Sequence, residues 1–200
     1  AIVAEHVEAR ARRRQQHHVA GRGEREGALH GFLHGARARK RHVASGERRA
    51  TAAQISEAIE GAGGSLNAFT TKEVTCYWNN LPYERVDTGL DVIADMLQHS
   101  VMDPAEDDPQ RTVVQQELRR AKDSPGNWVS ELISDATYGD QPIGWPIGGT
   151  LDTVGTMHRD DFFSHMATHY HPQNAVLSIA GNVDVARITD LAGQQFGQWA

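Results

Sequence analysis

Two pairs of histidines stand four residues apart in this 200-residue chain: His30 with His34, and His165 with His169, the latter with His171 close behind. On a helix, positions i and i+4 share a face, so either pair could aim two neutral imidazole nitrogens at one metal ion. Such a site also wants a carboxylate. Asp161, one turn before His165, is all the second pair has, and it reads as a packing or solvated helix. The first pair, His30-Gly31-Phe32-Leu33-His34, has Gly31 and Gly35 to weaken it as a helix. Glu73 and Glu84 could be forced into an acid/base pair, but only their presence supports it. The run from Gly144 to Gly149 lacks the Lys-Ser/Thr ending of a phosphate loop. The single cysteine, Cys76, excludes an intrachain disulfide and a thiolate zinc cage.

The charge is divided unevenly along the chain. The formal net charge is −6, yet residues 1–50 hold twelve Lys and Arg against five Glu, a net of +7, and the remaining 150 residues hold eight against twenty-one, a net of −13. The basic segment has few β-branched or aromatic residues with which to pack a core, so residues 1–46 are expected to form no regular fold. Arg12-Arg13-Arg14 and Arg37-Ala38-Arg39-Lys40-Arg41 could neutralise phosphates, but aromatic stacking partners are missing, so a solvated arm is expected and nucleic acid is not. No apolar run approaches the roughly 18 residues a membrane helix needs, and no signal-peptide pattern opens the chain, so a soluble, cytoplasmic protein without a membrane partner is expected.

The elements that must position any such chemistry lie beyond residue 50, where periodicities become clear. Thr51 and Gln54 make a capping box for a helix carrying Ile55, Ala58, Ile59 and Ala62, which Gly61, Gly63 and Gly64 end. Ser65–Thr71 and Val74–Leu81 alternate and are rich in Thr, Phe, Val, Tyr and Trp, which predicts an antiparallel strand pair. Over Tyr83–His99, Val86, Leu90, Ile93, Ala94 and Leu97 fall on one helical stripe. An acidic, Pro-containing break over Asp103–Asp108 precedes helices at Asp108–Lys122 and Asn127–Thr137, separated by a turn at Asp123–Gly126. A loop over Gly139–Thr150, a helix over Asp160–Tyr170, a strand over Asn174–Ala180 and a helix over Asp184–Phe196 complete an α+β pattern, an antiparallel sheet with helices packed on one side.

Several stretches, taken in order, carry a family resemblance. Gln54-Ile-Ser-Glu-Ala-Ile-Glu with Gly63-Gly-Ser-Leu-Asn-Ala-Phe-Thr, then Val113-Val-Gln-Gln-Glu117, then Gln141-Pro-Ile-Gly-Trp-Pro-Ile-Gly-Gly-Thr150, together with His171-Pro-Gln-Asn-Ala-Val-Leu and Ala180-Gly-Asn-Val, resemble the inverted-motif zinc peptidases of the insulinase, pitrilysin and mitochondrial processing peptidase group. The resemblance covers residues 47–200 and implies the first of the α+β repeats that close, with a second repeat or a partner subunit, as a clamshell around a peptide substrate. It implies zinc as cofactor, held by His-x-x-Glu-His on a helix and by a glutamate roughly 75 to 77 residues further on, with the motif's own Glu as general base on the zinc-bound water. That distant ligand matches Glu117, and the acidic partner often found before it falls on Gln110. Asn67 and Ala68 match the strand whose edge pairs with the substrate backbone; an ordinary strand pair is the alternative reading.

The same spacing puts the histidine motif at Ala36-Arg37-Ala38-Arg39-Lys40, where neither imidazole nor carboxylate is present. His30 and His34 are the nearest substitutes, about six residues early, with Leu33 where the general base belongs. The expectation is a domain of a zinc metalloendopeptidase that lacks its catalytic base and is inactive as written. The alternative is a noncatalytic peptide-binding or scaffold subunit that pairs with an active partner. A shifted reading frame, a misassembled start or a degenerate domain would each leave family-like sequence intact only after Glu47.

Overall fold

A computed structural model describes residues 2–10, 52–100 and 104–199. Its sheet is four-stranded and antiparallel, in the order β2-β3-β1-β4, with β1 at Ile2–Arg10, β2 at Ser65–Thr70, β3 at Val74–Pro82 and β4 at Ala175–Ala180. The described helices are α1 (Ala52–Glu60), α2 (Val86–Gln98), α3 (Pro104–Asp123), α4 (Pro125–Tyr138), α5 (Leu151–Gly155), α6 (Arg159–His169) and α7 (Val185–Phe196). None of them is long and apolar enough to cross a membrane.

The α+β expectation holds, with one correction of consequence. Nothing regular was expected in residues 1–46, yet Ile2–Arg10 is an interior strand, paired with β3 from Ile2↔Pro82 to Arg10↔Val74 and with β4 from Ala4↔Ala180 to Ala9↔Ala175. Composition misses it because a strand with partners on both edges is held by ladder hydrogen bonds, which hydrophobic content does not register.

Local chemistry explains the boundaries. Helix α1 ends in a Schellman turn: Gly64 N–H reaches Ile59 O and Gly63 N–H reaches Glu60 O, both at 2.9 Å, with Gly63 at φ +80°. Helix α3 starts at Pro104, inside the expected acidic break, because proline is tolerated in a first helical turn and carboxylates there favour the helix dipole. Pro125 likewise opens α4, which narrows the expected Asp123–Gly126 turn to little more than Ser124. The unexpected α5 is set by reciprocal caps between Thr150 and Thr153, at 2.8 and 3.1 Å.

Burial of one sheet face holds the layers together. Tyr77, from β3, packs with Ile93 and Leu97 of α2, Val114 of α3, Val154 of α5, Met157, Phe162 of α6 and Tyr170, and the partly buried Leu66, Ala68, Leu118 and Leu177 close the margin. A second cluster joins Ile55 and Ile59 of α1 to Leu81 and Val92, so the helical stripes read from the sequence are the buried ones. Asn79 is also buried, and its Nδ2 donates to Gly89 O at 2.9 Å, tying α2 to the sheet. A Cβ on Gly89 would lie 2.8 Å from Asn79 Oδ1, so the close approach depends on glycine there.

Tyr77 and Tyr170 share a hydrogen bond, O to O 3.0 Å, inside this core. Burial pushes the Tyr170 phenol up to about 12, against smaller lowering effects of its bonds to Tyr77 and Thr75, and burial raises Tyr77 well above the usual range. In the unfolded chain both ionise near pH 10. Their contribution to stability should therefore be complete below about pH 10 and fall as pH rises toward about 12. Urea midpoints measured across that window should drop, and Tyr170→Phe should reduce the slope. Phe162, 1% exposed, should cost about 3–5 kcal/mol when cut to Ala. Ile133, 60% exposed, should cost no more than about 0.5 kcal/mol in the same assay.

Candidate functional site

The hairpin of β2 and β3 decides which backbone groups face outward. Thr71 N–H donates to Val74 O at 2.8 Å across the turn, and the register runs Thr70↔Thr75, Phe69↔Cys76, Ala68↔Tyr77, Asn67↔Trp78. Hydrogen-bonded and non-hydrogen-bonded pairs alternate in such a ladder. Phe69, Asn67 and Ser65 therefore turn their amides and carbonyls toward β3, while those of Leu66, Ala68 and Thr70 point away from it. Since β2 is the last strand of the sheet among the described residues, that second set forms an edge that no described strand covers. Ala68's amide is not idle there: it donates to Oδ1 of Asn67 at 2.8 Å.

Glu117 projects from α3 as an exposed residue one turn beyond Val114, which is 5% exposed. Val114 and the partly buried Leu118 pack in the same cluster as Leu66 and Ala68, so one core patch carries both the helix bearing Glu117 and the edge strand bearing Asn67 and Ala68. Sequence reasoning pointed to all three residues, and the fold seats their elements on a common support. His30 and His34, the other metal candidates, lie outside the described residues, as does the Ala36–Lys40 window.

The remaining candidates separate. His165 is 7% exposed, its ring 4.5 Å from that of His169 and 6.0 Å from that of Tyr170, so the pair packs at the edge of the tyrosine core as the sequence suggested. Among the described residues, no group of three or more His, Cys, Asp or Glu is arranged to hold a metal ion. Glu73 lies in the β2–β3 turn and Glu84 just past the other end of β3. Nine extended residues, about 30 Å, intervene, so they form no acid/base pair.

Sequence reasoning gave Lys72 no role, yet it sits at a junction. Its ammonium donates to Trp145 O, Trp145 Nε1 donates to Asp140 Oδ1 at 2.8 Å, and the loop is thereby fastened to the hairpin tip. Gly139 at φ +57° and Gly149 at φ +72° make the bends that bring the loop back. Beneath it runs a groove of about 810 Å³ whose walls include Lys72, Leu118, Trp128, Leu132, Trp145 and Ile147. Burial lowers the Lys72 pKa, opposed by the nearby Glu131 carboxylate. No sequence signal marks this contact, because its partner is a backbone carbonyl 73 residues away.

The chain is similar to known proteins in sequence and in fold. The family profile described as Insulinase (Peptidase family M16) matches residues 40–151, and one described as Peptidase M16 inactive domain matches residues 156–200. An uncharacterized zinc protease of Bacillus subtilis, YmxG, is 38% identical over 141 residues, 70% of this chain and 34% of that protein. One from Rickettsia bellii is 38% identical over 156 residues, 78% of this chain and 38% of that protein. The chain thus spans about a third of the length of these relatives. Among solved structures, a Helicobacter pylori protease superposes with a TM-score of 0.82 at 20% identity, covering 99% of this chain and 45% of that one. Pitrilysin superposes with a TM-score of 0.75 at 18% identity, covering 98% and 20%. At these identities the two structures speak for the fold alone. Replacing Lys72 by Met should speed amide exchange across residues 139–150 about fivefold, the loss of about 1 kcal/mol, while Lys72→Arg should keep it slow; hydrogen-exchange mass spectrometry reads both.

Proposed function

Since the chain belongs to the insulinase family of peptidases, family M16, we propose that it is a peptide-holding domain of a zinc metalloendopeptidase acting on extended peptides, and that it does not itself cleave them. The observation that carries this reading is the free edge of β2 at Ala68, on the same core patch as Glu117. An extended substrate can add to such an edge as a further strand, with backbone hydrogen bonds giving affinity and alternate side chains giving choice.

Zinc is the group the relatives' descriptions imply. When bound in such a site it lowers the pKa of a water so that hydroxide can attack a peptide carbonyl. Glu117 would supply one carboxylate ligand. Two neutral nitrogens and a general base are also required, and among the described residues no group of three or more His, Cys, Asp or Glu is arranged to supply them: His165 packs beside Tyr170, with His169 against its ring. The role proposed for the described residues is accordingly to bind and orient a peptide. Hydrolysis is assigned to the remainder of a longer protein or to a partner subunit, either of which would close over the edge as the other half of a clamshell.

The sequence at Ala36–Lys40 favours a second form of this reading, in which the chain is a noncatalytic scaffold subunit throughout. Zinc stoichiometry separates the possibilities. The purified chain should bind peptide without cleaving it and carry no zinc dependent on Glu117. About one zinc per chain, lost in Glu117→Gln and accompanied by cleavage, would overturn the proposal and turn attention to His30 and His34.

A further inference from the structure

The free edge of β2 is partly closed by its own chain. Of the outward-facing amides of Leu66, Ala68 and Thr70, the middle one is taken, because Asn67 Oδ1 accepts from Ala68 N–H at 2.8 Å. Asn67 is exposed, and its side chain leaves from the sheet face opposite the core-facing Ala68. Rotation about its own torsions is enough to free the amide. An arriving strand needs that amide for one of its carbonyls, and one N–H cannot serve both acceptors well.

Resting on the peptide-edge reading above, we propose that Asn67 is a self-cap that must leave before a peptide can pair with β2. With no peptide present it satisfies the amide of Ala68 and blunts an edge that would otherwise pair with any unpaired strand. When a peptide arrives, its carbonyl replaces Asn67 Oδ1, and the exchange at Ala68 is one hydrogen bond for another. Net affinity then comes from the flanking positions, Leu66 and Thr70. A segment too short or too bent to reach both gains nothing, so the device selects for extended chains, and the displaced carboxamide is left free to meet the peptide with both a donor and an acceptor.

The cap makes a prediction opposite to that of a simple contact residue. In Asn67→Ala the Ala68 amide should exchange faster by NMR, and a labelled, alternating Val/Thr peptide should bind about two- to tenfold tighter, since the edge no longer gives up a bond worth about 0.5–1.5 kcal/mol. Asn67→Asp keeps the acceptor and should keep the slow exchange. Unchanged exchange at Ala68 in Asn67→Ala overturns the cap. Equal or weaker binding by Asn67→Ala, when the parent chain binds, overturns the cap and leaves the peptide-edge reading standing. Failure of both chains to bind overturns the two readings together.

Discussion

The arrangement depends on one shared burial: the inner face of β2 and β3 meets α2 and a stripe of α3 in a single core. Val114 is the described residue of α3 that is buried in the core built around Tyr77, Phe162 and Tyr170, with Leu118 packed against its margin. With Val114 inward, helical geometry fixes where Glu117 emerges, one turn on. Substitutions that loosen this contact would move Glu117 relative to the strand edge without touching either, which is how a packing residue acquires a functional consequence.

The hairpin supplies a second constraint of a different kind. The turn bond from Thr71 to Val74 sets the ladder's phase, and the phase sets which three residues offer backbone groups to the outside. A slip by one residue would present Asn67 and Phe69 instead, and would also turn Leu66 and Ala68 out of the core. Packing therefore selects the register that leaves these three residues outward. Lys72, at the tip of that hairpin, adds a tether to the loop that walls the groove.

Much of this was legible from residue order. Stripes of Leu, Ile and Val at helical spacing marked α1 and α2, and the alternation around Cys76 and Trp78 marked β3. Glycine and proline punctuation enclosed the long loop. Strand β1 was hidden, since its partners lie more than 60 and 160 residues further along and its stabilisation is shared with them. Helix α3 is longer than the expected Asp108–Lys122 because Pro104 reads as part of a break, although at a helix start proline forfeits few bonds.

By itself the sequence determined which residue types stand where: a Glu at 117, an Asn-Ala pair on a strand, and, at the spacing where two histidines and a glutamate belong, an Arg- and Ala-rich stretch that can hold no cation. These are matters of chemistry at a position, and residue order settles them. The tertiary structure alone decided that β2 is an edge, that Glu117 and Ala68 rest on one core patch, that Lys72 fastens a distant loop, and that Asn67 covers the amide beside it. Each of these except the last joins groups far apart in the chain, and even Asn67's bond has meaning only because, among the described residues, no strand lies beyond β2. Edges, shared cores and contacts to backbone carbonyls exist only after the chain has folded back on itself, so no local pattern of side chains encodes them.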